Sequence, residues 1–269
     1  MSIDTLKRRL KEVGMQKHIA VKKPYLTAAH IQARLKFALK YKDLTVEDWL
    51  KVIWSDESKV EIGKNPRADW VLRTAEEKYH VDCLTPVFKS GRSSIMVWGC
   101  FTGNRLGPLL AFEKGGISSR EYIQTLKDGL LVFLQDLNGP EEPLDNDTIQ
   151  VATPGQYIFQ QDNAPIHVFK ATKSFFNDYK LEAIDWPANS PNLNSIEHLW
   201  MQLKLIFHRK WVALGSRRIF HGLEVIAIYT EMLKRIWKEE LGNVALKLVQ
   251  SMPRRIKAVI KAKSRYIKY

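Results

Sequence analysis

Cysteine is scarce in this 269-residue chain, with only Cys83 and Cys100 and no CxxC pair, and the seven histidines are scattered. A disulfide framework is therefore excluded, and a structural zinc site is not expected. Long apolar runs are also missing. No stretch approaches the ~18 to 20 residues that span a bilayer, and nothing resembles a secretory signal, so the expected compartment is intracellular and reducing. Acids are outnumbered, 29 Asp and Glu against 42 Lys and Arg, for a net charge of +13. The remaining composition, 45% hydrophobic and 26% charged, suits one main globular domain with a small appendage. No internal repeat or low-complexity tract interrupts it.

The excess positive charge sits at the two ends. Residues 1–43 hold eleven Lys and Arg against three acids, and residues 250–269 hold seven with no acid, which leaves the middle nearly neutral. Basic ends on a balanced body point to a polyanion, most simply DNA or RNA; the alternative is a solvated surface that serves solubility. Candidate contacts are Lys7, Arg8, Arg9, Lys11, Lys22 and Lys23 in the first cluster and Arg254, Arg255 and Lys257 in the second.

Residues 2–14 read as a short helix, with Ser2 as N-cap and Gly14 as stop. Ile3, Leu6, Leu10 and Val13 form its apolar stripe, with Lys7, Arg8 and Lys11 off that stripe. So narrow a stripe either docks on the body of the protein or belongs with helices that do not precede it here. Lys22-Lys23-Pro24 reads as a basic linker. A helix from the N-cap Thr27 to about Tyr41 follows, then a helical turn after Leu44. Strands are expected at Lys51–Ile62, near Asp69–Arg73, and at Ser94–Phe101, Gly107–Phe112, Tyr157–Gln161 and Leu181–Asp185. Helices are expected at Ser118–Leu137, Val168–Tyr179, Ile196–Arg209, Gly222–Glu240 and Ala245–Lys263, with a loop at Gly139–Pro154. Strands first, then strand and helix in alternation, predict an α/β fold with a mixed sheet flanked by helices.

Three acids stand at informative places. In the first strand Asp56 shares a face with Val52, Trp54, Ser58 and Val60, so its carboxylate is partly buried and needs a cation or hydrogen bonds. Asp162 ends an apolar strand, where ligands of open α/β sheets collect. Glu197 lies in the first turn of a helix whose entry is fixed by Pro187 and Pro191. Each has a plainer role: Asp56 hydrogen-bonded at a sheet edge, Asp162 capping the helix that Pro165 opens, Glu197 closing a capping box with Asn194. Together, three carboxylates delivered by separate elements are what a pair of magnesium ions needs for in-line displacement at phosphorus, with manganese as a substitute.

Four stretches carry a family resemblance: Trp54-Ser-Asp-Glu-Ser, Met96-Val-Trp-Gly-Cys, Gln161-Asp-Asn-Ala-Pro-Ile-His, and the run from Trp186 to Trp200 that contains Ser190-Pro-Asn-Leu-Asn-Ser-Ile-Glu-His-Leu-Trp. With 34 residues between Asp162 and Glu197, the chain resembles transposases of the Tc/mariner superfamily, in the Tc branch that ends in Glu. The resemblance implies a ribonuclease-H-like catalytic domain over residues 27–269, with a helical C-terminal extension. Before it, residues 1–26 are expected to be a remnant of a helix-turn-helix DNA-binding region and a basic linker, so that the chain is N-terminally shortened. Asp56, Asp162 and Glu197 are implied as catalytic, metal-holding acids, acting on double-stranded DNA at transposon ends and a TA target. Self-association as a dimer on DNA and a nuclear location in a eukaryotic host follow from the same resemblance. Asn163 and His167 match the pattern beside the second acid, as support for it or as ordinary capping and packing residues. Asn192 stands where the family usually has Asp, and Ser195 where it usually has Pro. Besides an active transposase, a domesticated DNA-binding protein and a stand-alone nuclease of the same fold are the alternatives.

Overall fold

The computed structural model describes residues 3–15, 25–62, 94–112, 117–138, 156–214 and 223–267. The strand expected near Asp69–Arg73, the loop at Gly139–Pro154 and the basic pair Lys22 and Lys23 lie outside them. Four strands form one sheet in the order β3-β2-β1-β4: β1 Val52–Glu61, β2 Ser94–Thr102, β3 Arg105–Phe112 and β4 Ile158–Gln160. β1 pairs antiparallel with β2, which pairs antiparallel with β3, while β4 runs parallel to β1 with Ile53 opposite Phe159. The helices are α1 Ile3–Glu12, α2 Ala28–Lys40, α3 Val46–Trp49, α4 Ser119–Thr125, α5 Val132–Asn138, α6 Pro165–Val168, α7 Lys170–Asp178, α8 Ser195–Ala213, α9 Leu223–Glu240, α10 Gly242–Gln250 and α11 Met252–Lys261.

The alternation of β1 divides the core in two. Val52, Trp54 and Val60 face the larger cluster, with Leu199, Trp200 and Leu203 of α8 and Leu233, Ile236 and Trp237 of α9. Ile53 faces the other cluster, with Trp98, Tyr122, Leu126, Leu130, Phe175 and Phe176. Helices thus cover both faces of the sheet, and tryptophans fill much of the larger core: Trp49 stacks on Trp54, and Trp200 on Trp237.

Thr27 caps α2 as expected, its hydroxyl accepting from the His30 amide at 3.2 Å. Elsewhere long expected elements are divided. Ser118–Leu137 contains a π-helical turn at Leu126–Leu131, with Gly129 against the Trp98 ring, where a Cβ would come within 2.5 Å of Cζ3. Val168–Tyr179 is interrupted at Phe169, whose extended backbone separates α6 from α7. Ala245–Lys263 breaks at Ser251, where Pro253 is tolerated because it lies in the first turn of a new helix. The strand expected at Leu181–Asp185 is reduced to a single parallel bridge between Phe159 and Ala183. Two backbone bonds, Phe159 N to Glu182 O and Ile184 N to Phe159 O, are made before Pro187 forbids further pairing.

Candidate active site

Asp56 lies in the middle of β1 and Glu57 follows it, so the pleat sends the two carboxylates to opposite faces. Asp56 turns toward α8, and the Trp200 indole donates Nε1–H to its Oδ2 at 3.3 Å. Glu57 turns toward His167, whose Nε2 is 3.3 Å from Glu57 Oε1. Asp162 follows the end of β4 and bends the chain locally, its Oδ1 accepting from the Ala164 amide at 2.8 Å. The same oxygen is 2.7 Å from Nδ1 of the buried His167. One face of Asp162 is thereby committed to the protein, and its other oxygen remains for the cleft.

Glu197 occupies the first turn of α8. Asn194 is the N-cap, but its side chain makes no capping hydrogen bond. The capping box that was the plainer alternative for Glu197 is not formed: Asn194 is buried while Glu197 is exposed toward the cleft. Pro187, Ser190 and Pro191 line the approach, and Asn163 Nδ2 ties this loop to the end of β4 by donating to Trp186 O at 2.8 Å. The outcome is an open cleft of about 370 Å³ whose lining includes Asp56, Asp162, Asn163, Ser190 and Glu197. Three acids that are distant in sequence thus share one cavity. Among the described residues, no three carboxylate, imidazole or thiol groups converge on a single point, so the acids are spread around the cleft.

Electrostatics shows what this cavity lacks. Burial, then the charges of Glu197 and Glu57, push the Asp56 carboxyl well above the ordinary carboxylate range, with Asp162 adding to the effect. Glu197 is raised by desolvation, opposed by Lys204 and reinforced by Asp162. Asp162 is lowered, chiefly by its hydrogen bond to His167. Burial opposes the imidazolium form of His167, but the bonds to Asp162 and Glu57 prevail and raise it to about 10. His167 therefore balances Asp162 and Glu57, while among the described residues Asp56 and Glu197 have no comparable imidazolium hydrogen bond. A partly buried carboxylate surrounded by other carboxylates on an open cleft fits a hard divalent cation.

The sequence motifs gave no role to Glu57 or Trp200, although both lie inside the stretches quoted above. Their neighbours in sequence pointed to them; only the fold shows which face each side chain takes. The basic residues divide differently. Lys7, Arg8, Arg9 and Lys11 are exposed on α1, where Asp4 and Glu12 pair with some of them. Arg254 and Lys257 are exposed on α11. Arg255 must be withdrawn from the DNA-contacting set: it is 1% exposed, and its guanidinium donates to Ser251 Oγ and Asn192 O. One residue past Arg254, the helix turns it into the core. The apolar stripe of α1 is not docked on the body, with Ile3 72% and Val13 69% exposed.

Two family models match the chain. One described as transposase matches residues 1–43, and one described as DDE superfamily endonuclease matches residues 131–213, which contain Asp162 and Glu197. The Tc1 transposase of Caenorhabditis elegans is 34% identical over 98% of this chain and 87% of its own length. The Tcb1 transposase of Caenorhabditis briggsae is 31% identical with the same coverage. Among solved structures, the mariner Mos1 paired-end complex with Mg superposes with a TM-score of 0.74 at 18% identity, covering 98% of this chain and 72% of that one. That likeness fixes the fold as ribonuclease-H-like. With relatives of this identity spanning nearly all of its length, the chain belongs to the Tc/mariner transposases, enzymes that cut DNA and transfer its strands.

Proposed function

We propose that Asp56, Asp162 and Glu197 are the catalytic acids of this transposase and hold two divalent ions, magnesium or in its place manganese. The observation that carries the reading is the shared cleft: β1, the end of β4 and the start of α8 each deliver one carboxylate to it. Bound divalent ions would supply charge neutralisation at the phosphate and a more acidic attacking water. The protein's own part is positional. Trp200 holds Asp56, His167 and the Ala164 amide hold Asp162, and the first turn of α8 carries Glu197. Asn163 supports the site by fastening the Trp186 loop to the end of β4.

The substrate proposed is double-stranded DNA at transposon ends, followed by joining to a TA target. Contacts come from Lys7, Arg8, Arg9 and Lys11 on α1, from Lys22 and Lys23, and from Arg254 and Lys257 on α11. The Mos1 structures include paired-end complexes with Mg and with Mn, which supports both the ions and a dimer on DNA. A DNA-acting enzyme with nematode relatives works in the nucleus on this reading, and among the described residues no helix is long and apolar enough to cross a membrane.

The test is cleavage of DNA carrying the inverted repeats that flank the gene, with magnesium or manganese, by wild type and by Asp56→Asn, Asp162→Asn and Glu197→Gln. Wild type should cleave only with metal, and each variant should lose at least ~10²-fold in rate, the order typical when one group that stabilises transition-state charge is removed. Equal cleavage by wild type and all three variants would sink the assignment.

A further inference from the structure

We propose that Arg34 of α2 is a positioning residue for Glu197, setting the loop from which α8 starts; the inference rests on the role proposed for Glu197 above. Arg34 is 0% exposed, though it lies 155 residues before Asn189 of that loop. Its Nη1 donates to Ser190 Oγ at 2.8 Å, to Asn192 Oδ1 at 3.1 Å and to Asn189 O at 3.3 Å. Its Nε donates to Ser264 O at 3.1 Å, beyond the end of α11. One planar group therefore joins α2, the active-site loop and the C-terminal helix. Arg255 completes the grip, donating from its own Nη1 to Asn192 O at 3.0 Å. Asn192 is held by its side chain from one guanidinium and by its backbone from the other.

Three features separate this arrangement from ordinary core packing. Among the described residues no carboxylate forms an ion pair with Arg34: its acceptors are carbonyl, hydroxyl and amide oxygens. Burial accordingly lowers its pKa from the ordinary arginine value. A buried charge of this kind is a poor source of stability compared with a well-packed apolar residue, and its advantage lies in directional bonds. Second, two of the carbonyls it binds belong to residues with left-handed backbone, Asn189 at φ 53° and Ser264 at φ 59°. Such conformations persist in non-glycine residues only where surrounding contacts over-determine them. Third, the N-cap of α8 makes no side-chain bond of its own, so the start of the helix is fixed by the loop and by whatever holds the loop. Asn189, Ser190, Asn194 and Glu197 all line the cleft. Displacing the loop therefore displaces the third acid.

Arg34 also lies within residues 1–43, the segment matched by the first transposase model. That segment and the loop from which α8 starts are thus connected by one side chain.

The experiment compares wild type, Arg34→Met and Arg34→Lys, each alone and combined with Glu197→Gln. It measures Mn²⁺ binding without DNA, from the electron paramagnetic resonance signal of the free ion, together with thermal melting and DNA cleavage. Arg34→Met should bind Mn²⁺ about 10-fold more weakly, the scale found when residues that orient metal ligands are lost. Arg34→Lys should fall between it and wild type, and neither change should weaken Mn²⁺ binding further once Glu197 is Gln. Should Arg34→Met fail to fold, the same comparison with Arg34→Lys decides. Folded Arg34 variants that bind Mn²⁺ like wild type, or that weaken it equally in the Glu197→Gln background, overturn the inference. Failure of the wild type to cleave DNA would count against the functional reading instead, whatever Arg34 does to the ion.

Discussion

Gly99 stands directly opposite Asp56 across the β1–β2 ladder, and its missing side chain leaves the space in which the Trp200 indole reaches the Asp56 carboxylate. A Cβ at position 99 would come within 2.9 Å of Trp200 Cη2 and 3.1 Å of Trp237 Cζ2. The geometry of the pair Trp200–Asp56, 3.3 Å between Nε1 and Oδ2, therefore depends on the absence of a Cβ at position 99.

Gly99→Ala follows as the first prediction. Overpacking against two stacked indoles should cost about 1–3 kcal/mol in stability. Cleavage should fall further than the loss of folded protein accounts for, because Trp200 can no longer hold Asp56. Melting curves and rates at a temperature where the variant is fully folded would show it; a variant with lowered melting temperature and full activity would detach Trp200 from the chemistry.

Asp56 should be a liability to the metal-free fold. Its pKa is raised in the folded state by burial and by Glu197 and Glu57, so ionising it costs stability. The sign follows: the folded state binds the proton more tightly than the unfolded chain, and metal-free stability declines as pH rises above the ordinary carboxylate value of about 3.9. At neutral pH with chelator, Asp56→Asn should melt higher than wild type, by about 2–4 °C for each kcal/mol recovered in a chain of this size. Adding magnesium or manganese should raise the melting temperature of wild type and leave Asp56→Asn nearly unmoved. A lower melting temperature for the metal-free variant would mean that the carboxylate is satisfied by the protein alone.

The face of β1, the end of β4 and the N-cap of α8 were all legible in the sequence, because alternation, an apolar run ending in Asp and a Pro-fixed helix entry are local signals. Those signals, joined with the family resemblance, are why the three acids could be singled out as candidates. Arg34 and Arg255 were not legible as buried residues, since basic side chains in helices normally face water and only long-range packing turned these inward. Local signals also offered an alternative that the fold does not take, the capping box at Asn194 and Glu197. Its spacing is right, but burial of the Asn194 side chain and the pull of the cleft on Glu197 are tertiary effects. The divided helices at Phe169 and Ser251 likewise answer to packing that no short window contains.

His167 supplies a second pH dependence, of the same sign and in a different window. It is held protonated between Asp162 and Glu57, with its pKa raised to about 10. A raised folded pKa contributes stability that is complete below the unfolded value near 6.5 and is lost as pH rises through about 10. Asp162, lowered by the same bond, sets the acid limit, since its contribution fades as pH falls through the folded carboxyl value. In chelator, wild-type stability should therefore decline between about pH 6.5 and 10, and His167→Gln should flatten that decline. Equal slopes for the two proteins over that window would show that His167 is neutral in the folded state.

The basic ends make a prediction that separates contact residues from buried ones. Each lysine or arginine that neutralises a DNA phosphate adds about 0.9 to the slope of log affinity against log salt. Replacing the exposed Lys7, Arg8 and Lys11 by Gln should lower that slope by up to ~2 to 3, less where Asp4 and Glu12 already draw on the charge. Replacing Arg254 and Lys257 by Gln should lower it by up to ~2. Arg255→Met should leave the slope unchanged while altering the melting temperature, because its guanidinium is spent on Ser251 and Asn192. Measured on one DNA duplex at several salt concentrations, the three variants distinguish which end touches DNA. A reduced slope from α11 but not from α1 would move the interface to the C-terminal helix, whereas a reduced slope from Arg255→Met would mean that α11 turns or opens when DNA binds.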